Sequence, residues 1–218
     1  MKYKAVIFDL DGTLLDTLQD IADSANQALS HLGFPTHELE AYKYFIGDGR
    51  EVLAIRALPE HHRDATTVSK LVVRINEEYS KRWAGNTFPY PGIMNLLDYL
   101  TVNNIRMAVL SNKAHDLTEM MVSNILFQWH FDTVVGASAI TPKKPDPTAA
   151  LQIAKRLGVY PYEVIYLGDS DVDMETANKA GMHAIGVLWG FRSAEELLSG
   201  GAKSLIEHPN DLPPFLLK

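Results

Sequence analysis

Asp9 and Asp11 stand two positions apart at the end of an apolar run, in the stretch KAVIFDLDGTLLDT over residues 4–17. Ala5, Val6, Ile7 and Phe8 precede them and Gly12 follows. A buried strand would therefore deliver two carboxylates into one turn. Like charges held this close raise each other's pKa unless something offsets them. At about 4 Å they repel by roughly 4 kcal/mol in an intermediate dielectric. A hard divalent cation is the natural offset.

Chemistry-bearing groups also close three later apolar runs. Ser111-Asn112-Lys113 follows IRMAVL (105–110). TPKKPDP, with Lys143 and Lys144, comes after DTVVG (132–136). Gly168-Asp169-Ser170-Asp171-Val172-Asp173 continues from EVIYLG (163–168). Taken singly, these read as a turn, a solvated loop and an acidic helix start. Taken together they differ, because ligands of open parallel sheets bind outside the carboxyl ends of the strands. Mg²⁺ takes oxygen ligands, accepts one or two carboxylates and keeps waters that a phosphate can replace. A lysine, the Ser111 hydroxyl and backbone N–H groups after Asp9 suit an anion's remaining oxygens. The constellation reads as an anion-transfer site.

The elements that must position these groups follow from periodicity. Five segments predict buried strands: 4–8, 105–110, 132–136, 163–168 and 183–188. They are rich in Val and Ile, and the clearest are continuous, as in a parallel sheet covered on both faces. Helical patterns separate the last four, which predicts a doubly wound, Rossmann-like α/β core. Asp146-Pro147 reads as a helix cap with proline at the first helical position, and Gly158 and Gly181 as C-terminal caps. Residues 16–86 contain no strand pattern. They carry three helical runs, Leu18 to Leu32, Val52 to Leu58 and Val68 to Tyr79. Such an insertion is long enough to bury its own core. The predicted organisation is a core of residues 1–15 and 87–218 with an α-helical cap domain over 16–86. GNTFPYPG (85–92) would be the hinge.

Composition bounds the rest. The chain has 218 residues, 46% hydrophobic and 22% charged, with net charge −7 and no cysteine. Thiol catalysis, disulfides and thiolate metal sites are excluded. The acidic balance argues against nucleic-acid and anionic-membrane partners. No window approaches the roughly 18 apolar residues of a membrane span. The apolar run after Met1 is too short for a secretory leader. A cytoplasmic protein, monomeric or homodimeric, is expected.

The four motifs closely resemble those of the haloacid dehalogenase superfamily of phosphotransferases. DLDGTLLDT resembles its first motif and LSN (110–112) its second. KKPDP resembles the third, which singles out Lys144 rather than Lys143, and GDSDVD resembles the fourth through Asp169 and Asp173. Asp171 falls at a variable position. The resemblance implies the following roles. Asp9 attacks phosphorus and forms an aspartyl-phosphate. Asp11 protonates the leaving oxygen and later deprotonates water. Asp9, Asp169 and the backbone carbonyl of Asp11 hold Mg²⁺, with Asp173 supporting the metal site or orienting Lys144. Ser111 and Lys144 bind the phosphoryl oxygens, and Asn112 is grouped with them. Gly12 permits the tight turn. An acid at position 11 points to phosphate chemistry rather than dehalogenation.

The helical insert resembles the phosphoglycolate phosphatase branch in LQDIADSANQALSHLGF and YFIGDGREVLAIRAL, as does IGVLWGFRS near the end. That branch converts 2-phosphoglycolate to glycolate and phosphate, so the expected partner is a small phosphorylated metabolite. Arg50 is the candidate for its carboxylate, set against a solvent-facing arginine at a helix start. β-Phosphoglucomutase-like, pyrophosphatase and general sugar or nucleotide phosphatase readings stay open. A phospho-accepting signalling receiver is the distant alternative, disfavoured by two acids on the first strand and the large insert. His61-His62, His115, Trp189 and Phe191 read as surface or packing residues.

Overall fold

The computed structural model of the protein describes residues 3–216. The strands are β1 (Ala5–Phe8), β2 (Leu15–Asp16), β3 (Phe88–Pro89), β4 (Arg106–Ala114), β5 (Thr133–Ala137), β6 (Val164–Gly168), β7 (His183–Val187) and β8 (Ser204–Ile206). The helices are α1 (Leu18–His31), α2 (Leu39–Phe45), α3 (Arg50–Ala57), α4 (Ala65–Arg82), α5 (Ile93–Val102), α6 (His115–Ile125), α7 (Thr148–Leu157), α8 (Asp171–Lys179), α9 (Ala194–Ser199) and α10 (Pro213–Leu216). The chain forms two compact units. One takes the residues up to Leu15 and from Pro89 onward; the other is Asp16–Phe88. β2 and β3, where the chain passes between the units, pair as a separate two-stranded sheet.

The first unit is an α/β domain with strand order β5-β4-β1-β6-β7-β8, every neighbouring pair parallel. All four β1 residues are fully buried, as expected when helices cover both faces. On one face Ala5 and Ile7 pack with Ala149 and Ile153 of α7 and with Met174 and Ala177 of α8. The chain leaves β1 for β4 and β5 on one side, then returns for β6, β7 and β8 on the other. The winding therefore reverses at β1, and the crevice at a reversal point is where such sheets take ligands.

Several elements depart from the sequence reading. β8 adds a sixth strand on the far edge, paired to β7 through Ile185, Gly186 and Val187. It is three residues long and half-buried except at Ile206, too short and mixed to carry a periodic signal. α2 was not anticipated because Tyr42 is its one buried residue. α7 starts at Thr148 with Pro147 as its cap, and the Asp146 carboxylate accepts from the Thr148 N–H at 2.8 Å. Gly158 does cap α7 in the left-handed conformation, φ 68°.

β4 also runs past the predicted end at Leu110. Leu110 pairs with Val135 and Ala114 with Ala137, so Ser111, Asn112 and Lys113 face the single residue Gly136. A bulge of this kind re-aims side chains beside functional sites. Gly136 makes the close approach possible: a Cβ there would stand 2.6 Å from the His115 Cα and 2.7 Å from the Lys113 carbonyl oxygen. Gly136→Ala should therefore lower stability by about 1–3 kcal/mol, or roughly 2–12 °C in melting temperature. It should lower activity as well by displacing Ser111–Lys113. An unchanged melting curve would mean that the bulge yields freely.

The second unit is helical. Ile21, Ala25 and Leu29 of α1 and Leu71, Ile75 and Tyr79 of α4 are buried. Asp20, 1% exposed, ties the exit of this unit to the start of α1. Its carboxylate accepts from the Asn86 backbone N–H at 2.9 Å and from the Thr87 hydroxyl at 2.8 Å. Among the described residues no helix is long and apolar enough to cross a membrane.

Candidate active site

The site is assembled in the α/β unit from the carboxyl ends of β1, β4 and β6 and two later loops. At the end of β1 the Asp9 N–H donates to the Leu167 carbonyl at 2.9 Å, which continues the sheet by one residue. The chain then turns sharply. The Leu10 carbonyl accepts from the Leu14 and Leu15 N–H groups, both at 3.0 Å. Gly12 adopts φ 84° in this turn, and a Cβ on it would lie 2.2 Å from an Asp169 oxygen. Both its conformation and its surroundings demand glycine.

Asp9, Asp169 and Asp173 are all buried, and one oxygen from each lies within 4.8 Å of the others. Lys144 stands among them, its Nζ 2.8 Å from Asp9 Oδ1 and 2.6 Å from Asp173 Oδ1. Lys143, next to it, is exposed. Burial opposes the charge on Lys144, but Asp173 and Asp9 outweigh it and hold the ammonium's pKa well above the usual value. Asp173 is engaged at both oxygens. Oδ2 accepts from the Ser170 N–H and hydroxyl at 3.2 and 2.6 Å, forming the capping box of α8. Oδ1 takes Lys144 and, at 3.4 Å, the hydroxyl of Tyr166. Asp171 is exposed and apart from the cluster.

Asp169 is positioned from two sides. The Thr13 hydroxyl donates to Oδ1 at 3.0 Å and the Phe191 N–H to Oδ2 at 2.9 Å. The Trp189 indole N–H donates to the Thr13 carbonyl at 3.0 Å, fastening the same loop to the first turn. Gly190 lets that loop close, since a Cβ there would stand 2.3 Å from the Asp169 Cβ. Trp189 and Phe191 thus act on the site through a ring N–H and a backbone N–H. Thr13 and Gly190 were not singled out from sequence. Thr13 lies within the first motif, and that was the available signal.

The bulged end of β4 supplies the third side. Ser111 is buried, and its hydroxyl oxygen accepts from the Lys113 N–H at 3.2 Å. The Asn112 side chain pairs with the backbone of Lys144, donating to its carbonyl at 3.1 Å and accepting from its N–H at 2.8 Å. Its amide therefore holds the lysine loop. Lys113 reaches across to Asp11, its Nζ 2.9 Å from Oδ1 and 3.1 Å from Oδ2. Arg50 opens α3 in the helical unit, where its guanidinium donates to Asn76 of α4. His61 and His62 are exposed, and His115 accepts from the Gly136 N–H at 3.2 Å.

The charges fit a divalent cation. Asp9, Asp11, Asp169 and Asp173 outnumber the two ammoniums among them, Lys113 and Lys144, with the Arg192 guanidinium acting on Asp169. Burial, with repulsion from Asp173 and Asp169, holds the Asp9 pKa well above the carboxylate range although Lys144 opposes this. Burial and Asp173 push Asp169 up to about 7. Asp9 Oδ1 is buried with the Lys144 ammonium at 2.8 Å as its ion-pair partner. Three clustered, buried acids can hold a hard metal ion.

A family model described as haloacid dehalogenase-like hydrolase matches residues 6–187. The phosphoglycolate phosphatase of Chromobacterium violaceum is 34% identical over 198 residues, covering 89% of each chain. That of Nitrosospira multiformis is 33% identical over 197 residues, covering 89% of this chain and 87% of its own. A crystal structure from Lactobacillus delbrueckii subsp. bulgaricus, provisionally named a phosphoglycolate phosphatase, superposes with TM-score 0.93 at 31% identity over 99% of both chains.

Proposed function

The chain belongs to the haloacid dehalogenase-like hydrolase family, and from that premise we propose a metal-dependent phosphatase that hydrolyses 2-phosphoglycolate to glycolate and phosphate. The observation that carries the chemistry is the buried Asp9 carboxylate, set against Lys144 and beside Asp11 at the sheet's reversal point. Phosphoglycolate phosphatases about 30% identical over most of their length support the choice of substrate.

Each residue then has a task. Asp9 attacks phosphorus as a carboxylate nucleophile and forms an aspartyl-phosphate. Asp11 gives a proton to the departing alkoxide and later takes one from the water that hydrolyses the acyl phosphate. Lys144 and the Ser111 hydroxyl meet the phosphoryl oxygens, where negative charge is spread in the transition state. Asp173 and Asn112 fix Lys144, one through its ammonium and the other through its backbone. Asp9, Asp169 and the Asp11 carbonyl would hold Mg²⁺, which supplies positive charge for the phosphoryl group. In this reading the protein is a cytoplasmic enzyme whose helical unit serves as the family's cap domain.

Phosphate release with Mg²⁺, beside a chelator control, tests this on 2-phosphoglycolate, pyrophosphate, β-glucose 1-phosphate and several sugar and nucleotide monophosphates. The expected result is chelator-sensitive release with 2-phosphoglycolate ahead in kcat/KM by orders of magnitude. Best activity on another member would overturn the substrate but keep the chemistry. No release from any would overturn both.

Metal binding has a readout of its own. At about 100 times its dissociation constant, Mg²⁺ should stabilise the fold by about 2.7 kcal/mol, or roughly 5–11 °C for a chain of this size. Excess chelator should reverse the shift. Thermal unfolding with and without Mg²⁺ checks this, and superimposable curves would count against the acid cluster as the metal site.

A further inference from the structure

Lys113 is a buried ammonium to which the mechanism above gives no task. It sits in the β4 bulge with its side chain 7% exposed, and it holds both oxygens of Asp11, whose side chain is 12% exposed. The contact spans 102 residues of sequence. It also conflicts with the work proposed for Asp11. A carboxylate that exchanges protons with the leaving oxygen must turn at least one oxygen toward it, and here both face one donor.

The conflict is resolved by a change of partner. A substrate anion placed beside the ammonium competes with Asp11 for its charge. Lysine can make the exchange, because its charge is compact, its stem flexible and its three donors free to rotate. The leaving group of 2-phosphoglycolate brings such an anion, since its carboxylate carbon lies two bonds from the ester oxygen that Asp11 serves. A group that brings its ester oxygen to Asp11 therefore brings its carboxylate near Lys113.

We propose that Lys113 leaves Asp11 for a second anionic group carried on a short arm from the ester oxygen. Lys113 thereby selects the substrate by charge and frees Asp11 only when that charge is present. The inference rests on the phosphatase reading. It moves the carboxylate contact from Arg50 to a residue of the same unit as Asp11.

Ethyl phosphate is the matched probe, as it replaces the carboxylate of 2-phosphoglycolate by a methyl group. kcat/KM is measured for both compounds with the wild type, Lys113→Met and Lys113→Gln, after melting curves of each. The wild type should prefer 2-phosphoglycolate. Lys113→Met should shrink that preference about 10- to 100-fold, the worth of one charged hydrogen bond. Lys113→Gln still donates to Asp11 without carrying charge, so it carries the test if the methionine variant does not fold. Equal losses on both substrates would overturn the proposal by reducing Lys113 to a brace for Asp11. So would a wild type indifferent to the carboxylate, or a preference that collapses in Arg50→Ala but survives in Lys113→Met. A wild type inactive on every phosphomonoester would instead remove the phosphatase reading itself.

Discussion

Asp9→Asn should lose turnover by about 10⁴-fold or more in kcat while melting no lower than the wild type. The two halves of this result have separate causes. An amide is no nucleophile toward phosphorus, so the aspartyl-phosphate cannot form. The fold, however, does not need a charge at this position. Asp9 is buried beside Asp169 and Asp173, and burial with their repulsion disfavours its ionised form. Lys144 keeps its contact with Asp173 at 2.6 Å, so no buried ammonium is stranded. Phosphate release under Mg²⁺ and a metal-free melting curve check both halves. Retention of about a hundredth of wild-type kcat in a folded variant would remove Asp9 as the nucleophile.

Lys144→Met should fail in both respects. The substitution strands two buried carboxylates, Asp9 and Asp173, that now share one ammonium. Breaking a buried pair on one side costs about 3–5 kcal/mol, or roughly 6–20 °C in melting temperature. The loss of the cation from the phosphoryl group should lower kcat by about 10²–10³-fold. The double variant Lys144→Met/Asp173→Asn separates the two effects. Removing the second charge should restore part of the stability and none of the activity, a coupling that a double-mutant cycle measures. If the double variant melts no higher than Lys144→Met, charge stranding is not the cause.

The acids of the site and Gly12 were legible from sequence, for local reasons. Ala5–Phe8 is a continuous apolar run, and such a run buried on both faces fixes where the strand ends and hence where Asp9 emerges. Gly12 follows at the one place where the turn needs φ 84°. Ser170 and Asp173 form a capping box whose spacing is written in the sequence, with Asp169 just before it. The strand ends could be collected into one crevice because all five predicted strands share a direction.

The pairings across that crevice were not legible. The pairing of the Asn112 amide with the Lys144 backbone has no signal in either motif. Lys113 gave no signal for Asp11, nor Phe191 for Asp169, although each pair is in hydrogen-bond contact. Gly136 had no evident purpose until the β4 bulge faced it. The sixth strand escaped notice because three residues on a sheet edge carry no period. Burial on both faces and turn conformation act over a few residues, so the amino-acid order alone determined the strands, the turns and the chemical groups at their ends. Which groups meet depends on the strand order β5-β4-β1-β6-β7-β8 and on the register slip in β4. The order arises from pairings such as Ala5 with both Arg106 and Val164, and the slip from the pairing of β4 with β5, so only the folded chain decides them.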